Sequence, residues 1–484
     1  MSIDGASPAA AVARPPASRA APRGPSAKSA VRREFARALV QAACVPFHAA
    51  GYLATRRRAE AELLRDVVDA PATRFDDARV PGASLALDRA APVRAEDSAR
   101  SLSFFVSCAE RSGETHAVTL VHALRAEAAE RGLPAPRFVG LGGPRLADAG
   151  VELLARPVER AVMGLSGVMG SLSYYVRMLE DCAERFRVDP PDLIVPVDSP
   201  ALHVPLARLG RRYGIRSVHF VAPQYWGWAP WRTPGYAATF ERALTILPFE
   251  RAWFERHGVR ATHVGHPLLD HLRDVPVTRP SAGARGIAVL CGSRASVIER
   301  NLPWMLARLT TAYDALGRPE IALLHDDEGQ RARLERLVAE HGRGLDARVA
   351  IGGLHAELAR ARTAFTVSGT VLLDVLHHRL PAIVLYRLGS RREEWIGRAF
   401  VTAPWFSVTN LLAGEELLPE FGFAGEGPTL EVERALVRAH RDEAWRATCL
   451  AGLDRAAERL GPPGAASRAA RIVVSTALSA EGPG

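Results

Sequence analysis

The chain has 484 residues, enough for two domains that each bury a core, and its 48% hydrophobic and 24% charged content is that of an ordinary soluble globular protein. A net charge of +9, its positive side carried almost wholly by arginine, points to acidic partners (nucleic acid, anionic lipid or phosphorylated substrates), with a general Arg- and Ala-rich compositional bias as the plain alternative. Five scattered cysteines without metal-ligand spacing argue against a disulfide framework and fit a reducing cytoplasm, and no window of about 20 apolar residues reads as a transmembrane helix.

Residues 1–30 are rich in Ala, Pro, Ser and Arg, cannot bury enough surface to fold, and are expected to be disordered. Residues 31–100 read as an N-terminal extension. Its segment 38–55 carries no formal charge, is interrupted by Pro46 and Gly51, and is bounded by Arg32, Arg33, Arg37 and by Arg56-Arg57-Arg58. An apolar helix between arginines suits an anionic membrane surface; packing on the protein body is the plain alternative. A polar linker follows over 69–100.

The first α/β domain is expected at 101–275. Strands are predicted at 102–107, 137–141, 192–197, 217–222, 243–247 and 261–264, with helices at 115–130, 161–185 and 205–213. Pro276, Pro280 and Gly283 mark a linker at 274–285. A second domain at 286–484 repeats the alternation, with strands at 286–290, 320–324, 347–351, 364–367 and 381–386 and helices over 431–480. Strands alternating with helices give parallel sheets, so the expected fold is α/β with two doubly wound Rossmann-like domains around a cleft. Ligands in such folds sit at the carboxyl ends of the strands.

Several segments fall at those ends. Cys108-Ala109-Glu110-Arg111-Ser112-Gly113-Glu114 carries two carboxylates into a helix. Asp198 stands at a strand tip, where partial burial raises a carboxylate towards the range of a general base; capping the next turn is the equal alternative. Tyr225, Trp226 and Trp228 form a candidate aromatic wall. In the second domain, Cys291-Gly292-Ser293-Arg294 is a strand–turn–helix junction suited to a phosphate, with Arg294 as a planar donor and Ser293 as a cap or phosphate ligand. Ser368-Gly369-Thr370 is a second such turn, and Asp374 lies one helical turn on, placed to accept from ribose hydroxyls. Two turns plus a carboxylate fit a nucleotide diphosphate. Neither G-x-G-x-x-G nor a P-loop is present, and no nucleic-acid motif accompanies the basic charge.

These segments, in order and spacing from about Phe104 to Ser475, resemble the lipid-A-disaccharide synthase family. The resemblance also rests on Gly142-Gly143-Pro144-Arg145, Ala161-Val162-Met163-Gly164, Pro223-Gln224-Tyr225-Trp226, Leu247-Pro248-Phe249-Glu250, Gly265-His266-Pro267, Tyr386-Arg387 and Asn410-Leu411-Leu412-Ala413-Gly414. It implies a GT-B glycosyltransferase that inverts the donor carbon, taking UDP-2,3-diacylglucosamine and 2,3-diacylglucosamine 1-phosphate to the lipid A disaccharide 1-phosphate and UDP, with no metal and no cofactor. It implies Asp198 as the base, with Glu110 and Ser112 beside it on the catalytic side. Gly292, Ser293, Arg294, Ser368, Gly369, Thr370, Asp374 and Asn410 would form the donor pocket. Glu114, His203, Tyr225 and Trp226 are the acceptor-side candidates. Both substrates are lipids, so a peripheral position on the cytoplasmic face of the inner membrane is implied, with Tyr174, Tyr175, Arg177 and Phe186 as contact candidates; a homodimer is left open.

The chain departs from the family pattern at site positions. Glu114 replaces an Asp. The motif after Asp198 reads Ser199-Pro200-Ala201-Leu202-His203, without the usual acidic residue, Phe and Asn, which leaves His203 as a candidate to share the base role. Cys291 and Val297 replace Pro and Glu around the phosphate turn, and Asp374 replaces Glu. A related UDP-sugar enzyme with another acceptor, an epimerase-like relative and a non-catalytic nucleotide- or lipid-binding descendant are the competing readings.

Overall fold

The computed structural model describes residues 24–75, 100–162, 168–280 and 283–479. Most of the expected disordered segment, most of the 69–100 linker, and Met163 and Gly164 lie outside these residues.

The first sheet contains β1 (Ser103–Ser107), β2 (Arg137–Leu141), β3 (Glu152–Ala155), β4 (Leu193–Pro196), β5 (Arg216–Phe220), β6 (Arg242–Thr245) and β7 (Ala261–His263). The second contains β8 (Gly286–Leu290), β9 (Ile321–His325), β10 (Ala347–Ile351), β11 (Ala361–Val367), β12 (Ala382–Leu388) and β13 (Glu420–Ala424). Strand orders are β3-β2-β1-β4-β5-β6-β7 and β10-β9-β8-β11-β12-β13, and every pairing is parallel. Each sheet is doubly wound, so the chain order reverses once in each, between β1 and β4 and between β8 and β11.

The central strands are buried along their length: Phe104, Phe105 and Val106 have no exposed surface on either face of β1. That is why they read as continuous apolar runs. β3 and β13, which the sequence reading misses, are edge strands with mostly half-exposed side chains, so neither shows such a run.

Two helices tie the domains together. Ala465–Leu478, last in the described chain, crosses back onto the first domain, so the second domain ends in space near Leu460 and not at the C-terminus. Asp270 caps the helix start by accepting from Ala465 N at 3.1 Å and Ala466 N at 2.8 Å, and Arg216 donates to Thr476 O and Ser479 O at 2.7 and 2.9 Å near its end.

At the other end of the chain, Ala27–Val68 is one 42-residue helix. It begins inside the stretch expected to be disordered, and it runs through Pro46 and Gly51, which were expected to interrupt it. A proline costs a helix interior about 3 kcal/mol. Contacts on both sides of Pro46 hold this one straight through: Glu34 pairs with Arg212 at 2.7 Å, Tyr52 Oη bonds Thr402 Oγ1 at 2.7 Å, and Leu63 and Val67 are fully buried. Arg459 donates to the carbonyls of Val67 and Val68.

Candidate active site

The first switch point is framed by residues following β1 and β4. Cys108 continues β1, and Glu110 is the residue before the helix Arg111–Glu130. The first turn of that helix carries Ser112, exposed, and Gly113, whose Cα lies so close to Asp198 that an added Cβ would meet Asp198 Cβ at 3.9 Å and Val197 O at 3.5 Å. No side chain caps this helix start, so its free N–H groups are open to an anion.

Asp198 ends the β4 segment in a left-handed conformation (φ 58°), and Ser199 follows at φ 46°. Val221, just past β5, has φ 59°, an outlier for a β-branched residue. Strain of this kind persists only where the surroundings over-determine it. Here two buried imidazoles do so. The Asp198 carbonyl oxygen accepts from His203 Nδ1 at 2.5 Å and from His219 Nε2 at 2.9 Å. A carbonyl only accepts, so both nitrogens carry protons; His203 Nε2 then accepts from Ser107 Oγ at 2.9 Å. Burial holds both rings neutral, pushing His203 down to about 4 and His219 to about 3. The Asp198 N–H is also spent, on Phe220 O at 3.0 Å. The backbone is thus fixed on both sides, and the carboxyl keeps one local bond, from the Ser199 N–H. Burial raises its pKa, and the nearby Glu110 charge raises it further.

Four expected acceptor-side residues stand elsewhere. His203 is fully buried with both nitrogens occupied, so it is a backbone clamp and not a base. Glu114 is buried and accepts from Leu146 N at 3.1 Å, capping the helix Pro144–Asp148, which starts at a glycine with no capping side chain. Tyr225 and Trp226 are buried: Trp226 Nε1 donates to Glu250 Oε1 at 2.9 Å, and Tyr225 packs edge-on against Tyr236. Glu250, pushed up to about 7 by burial, also accepts from Ile246 N and Leu247 N. The exposed aromatic of that run is Trp228, beneath the Arg232 guanidinium at 5.0 Å.

The second switch point is framed by the turns after β8 and β11. Gly292 has φ 108°, and a Cβ there would meet Val297 Cγ1 at 2.4 Å, so the turn requires glycine. Arg294, not Ser293, stands at the start of the helix Ala295–Leu316, which no side chain caps; Ser293 and Arg294 are exposed. After β11, Ser368 Oγ donates to Phe406 O at 2.9 Å, Gly369 faces open space, and Thr370 leads into the helix Val371–His377. Asp374 is nearly buried and pushed up to about 7, chiefly by that burial and then by Asp326.

Asn410 is fully buried and fully used: its Nδ2 donates to Leu418 O and Glu420 Oε2, and its Oδ1 accepts from Leu417 N and Leu418 N. It locks a loop and has no valence left for a ligand. Sequence reasoning passed over Phe406 beside this turn. It stacks on Tyr386 at 5.4 Å and 17°, and both rings are exposed. Only an isolated Tyr386-Arg387 pair signalled it. Among the described residues no group of three or more His, Cys, Asp or Glu side chains is arranged to hold a metal ion.

The two switch points meet. Arg294 Nη2 of the second domain lies 3.5 Å from Glu110 Oε2 of the first, both exposed to the cleft. The family model for lipid-A-disaccharide synthetase matches residues 104–449, the span that holds both halves of this site.

The chain belongs to the lipid-A-disaccharide synthase family. Lipid-A-disaccharide synthases of Myxococcus xanthus and Geobacter sulfurreducens are 32% and 28% identical to it, over 76% and 75% of this chain and 96% and 94% of theirs. That of Sodalis glossinidius is 31% identical over 67% of this chain and 85% of its own. Among solved structures, S. aureus MnaA, solved with UDP, superposes with a TM-score of 0.51 at 12% identity, over 76% of this chain and 94% of its own; the likeness is one of fold. Like its family, this chain is a GT-B glycosyltransferase of lipid A biosynthesis. The N-terminal helix Ala27–Val68 lies outside the matched span.

Proposed function

We propose that this lipid-A-disaccharide synthase family member transfers the sugar of UDP-2,3-diacylglucosamine to the 6-hydroxyl of 2,3-diacylglucosamine 1-phosphate, at the cytoplasmic face of the inner membrane. The observation that carries the reading is the 3.5 Å approach of Arg294 to Glu110, which brings a phosphate-type turn on one sheet to the carboxylate whose charge acts on Asp198 on the other.

In one in-line displacement the acceptor oxygen bonds the donor C1, its proton passes to Asp198, and the C1–phosphate bond breaks with its electron pair leaving on UDP. Arg294 and the uncapped N–H groups after Gly292 and Ser368 meet the growing diphosphate charge. The flat Tyr386–Phe406 pair offers a stacking face for uracil, and Asp374 an acceptor for ribose. Ser112 and Glu110 flank the acceptor hydroxyl. UDP-sugar is a substrate, and the reading needs no resident cofactor.

Mass spectrometry of a reaction containing pure protein and the two diacylglucosamine substrates tests it. Tetraacyl disaccharide 1-phosphate and an equal amount of UDP are expected. UDP binding without disaccharide would overturn the acceptor assignment and leave a nucleotide-binding descendant.

A further inference from the structure

A helix lying on a globular body is normally apolar only where it faces that body. Ala27–Val68 is apolar on two sides. At about 100° per residue, Val31, Tyr52, Leu63 and Val67 fall on one arc roughly 60° wide, and all four are buried. Phe35, Leu39, Val40, Phe47 and Leu53 fall on a separate arc of roughly 140° on the other side. These five are exposed, Phe47 by 79%, Val40 by 62% and Leu39 by 59%. Leaving such residues in water across the middle of a helix pinned at both ends has no structural benefit.

The charges are ordered around this outer face. No acidic residue occurs from 35 to 59. Arg32 and Arg33 stand at one end of the bare stretch, and Arg57 and Arg58 at the other, all exposed and near the outward arc. At the first turn, Ser26, Lys28, Ser29, Arg32 and Arg33 line an open hollow whose chemistry matches a phosphate headgroup. Beside the helix, joined to it through the Tyr52–Phe400 ring contact, Arg391–Phe400 adds exposed Trp395 and Ile396. Among the described residues no helix is long and apolar enough to cross a membrane.

We infer that the outer face of Ala27–Val68 docks the enzyme on an anionic lipid bilayer, with Phe35, Leu39, Val40, Phe47 and Leu53 in the acyl boundary and the flanking arginines on lipid phosphates. The inference deepens the proposed function and rests on it for the lipid nature of the substrates. A second copy of the chain is a poorer occupant. Two-fold pairing of this face sets the Arg32–Arg33 end of one helix against the Arg57–Arg58 end of the other, like charge on like.

Sedimentation of the full chain with phosphatidylcholine vesicles, with and without phosphatidylglycerol, tests the inference without any sugar substrate. Binding is expected only when phosphatidylglycerol is present. Arg57→Glu with Arg58→Glu, and separately Val40→Asp with Phe47→Asp, each lower the partition on the order of tenfold or more. All four residues are solvent-exposed, so circular dichroism of the variants stays unchanged. Equal binding by variants and parent, or no preference for phosphatidylglycerol, overturns the inference. So does light scattering that shows a dimer which Val40→Asp with Phe47→Asp dissociates. Glycosyl transfer in detergent micelles is measured in parallel: loss of transfer with vesicle binding intact counts against the proposed reaction alone.

Discussion

His203 holds Asp198 by its backbone carbonyl, not by its carboxylate. The Nδ1–H···O contact of 2.5 Å, doubled by His219 at 2.9 Å, fixes a left-handed aspartate at a strand tip, and the carboxyl group keeps only a local bond from the Ser199 N–H. His203, fully buried, thus ties the backbone at this corner while remaining out of reach of substrate.

The clamp makes His203 a positioning residue. His203→Ala is expected to lower kcat by about tenfold or more with little change in the KM for UDP-sugar, because a misplacement of about 1 Å at a reacting group is costly. His203→Asn, which retains an N–H donor, restores part of the rate. Kinetics with each substrate varied is paired with circular dichroism and thermal melts, because a global folding defect also lowers the apparent kcat but shows as a lost folded fraction, which the positioning role does not require.

Asp198 sets the acid limb of the pH profile. Asp198→Asn is expected to cost about 10² to 10⁴ in kcat. Only the ionised carboxylate accepts a proton, so activity falls as pH drops through its raised pKa. Glu110 contributes to that rise. Glu110→Gln removes the charge, lets the Asp198 pKa fall, and moves the acid limb to lower pH. An acid limb that stays in place or moves up would exclude Asp198 as the base.

Arg294 and Asn410, both donor-side candidates by sequence, are expected to behave oppositely. Arg294→Ala lowers kcat/KM by about 10² to 10³ without moving the thermal midpoint, because its contact with Glu110 is solvent-exposed and worth little. Arg294→Lys recovers little, since an ammonium cannot present a planar fork. Asn410→Ala strips the buried partners of Leu417, Leu418 and Glu420 and costs about 2 kcal/mol or more in stability, while the folded fraction keeps its KM for UDP-sugar. Thermal melts alongside kinetics check both.

Stability should fall on mild acidification. His116, His203, His219, His263, His266 and His440 are held neutral by burial, with values of about 3 to 4 against 6.5 for a free ring. Between pH 6.5 and about 4 the unfolded chain binds protons at these sites and the folded chain does not, so unfolding gains ground as pH falls. Glu250, Asp374 and Glu420, each raised to about 7 from an ordinary 4.5 or 3.8, act in the opposite sense from about pH 7 down through most of that range, but they are half as many. A lower melting midpoint at pH 5 than at pH 7.5 is expected; an equal or higher one refutes this balance.

The sequence by itself determined the fold class, the central strands and the phosphate-type turns. Buried parallel strands are written as unbroken apolar runs, and Gly292 is required by a backbone angle that the turn itself imposes. It also carried the bare apolar stretch between arginines, because an absence of charge over 38–55 is visible without coordinates. Only the tertiary structure decided which polar residues were free to act. Asp198, His203, Glu114 and Asn410 are all polar residues near strand ends or turns, and nothing local separates them. Hydrogen bonds to distant partners do: Ser107, His219, Leu146 and Glu420 determine which side chains are spent, and they leave Asp198 and Arg294 open to the cleft.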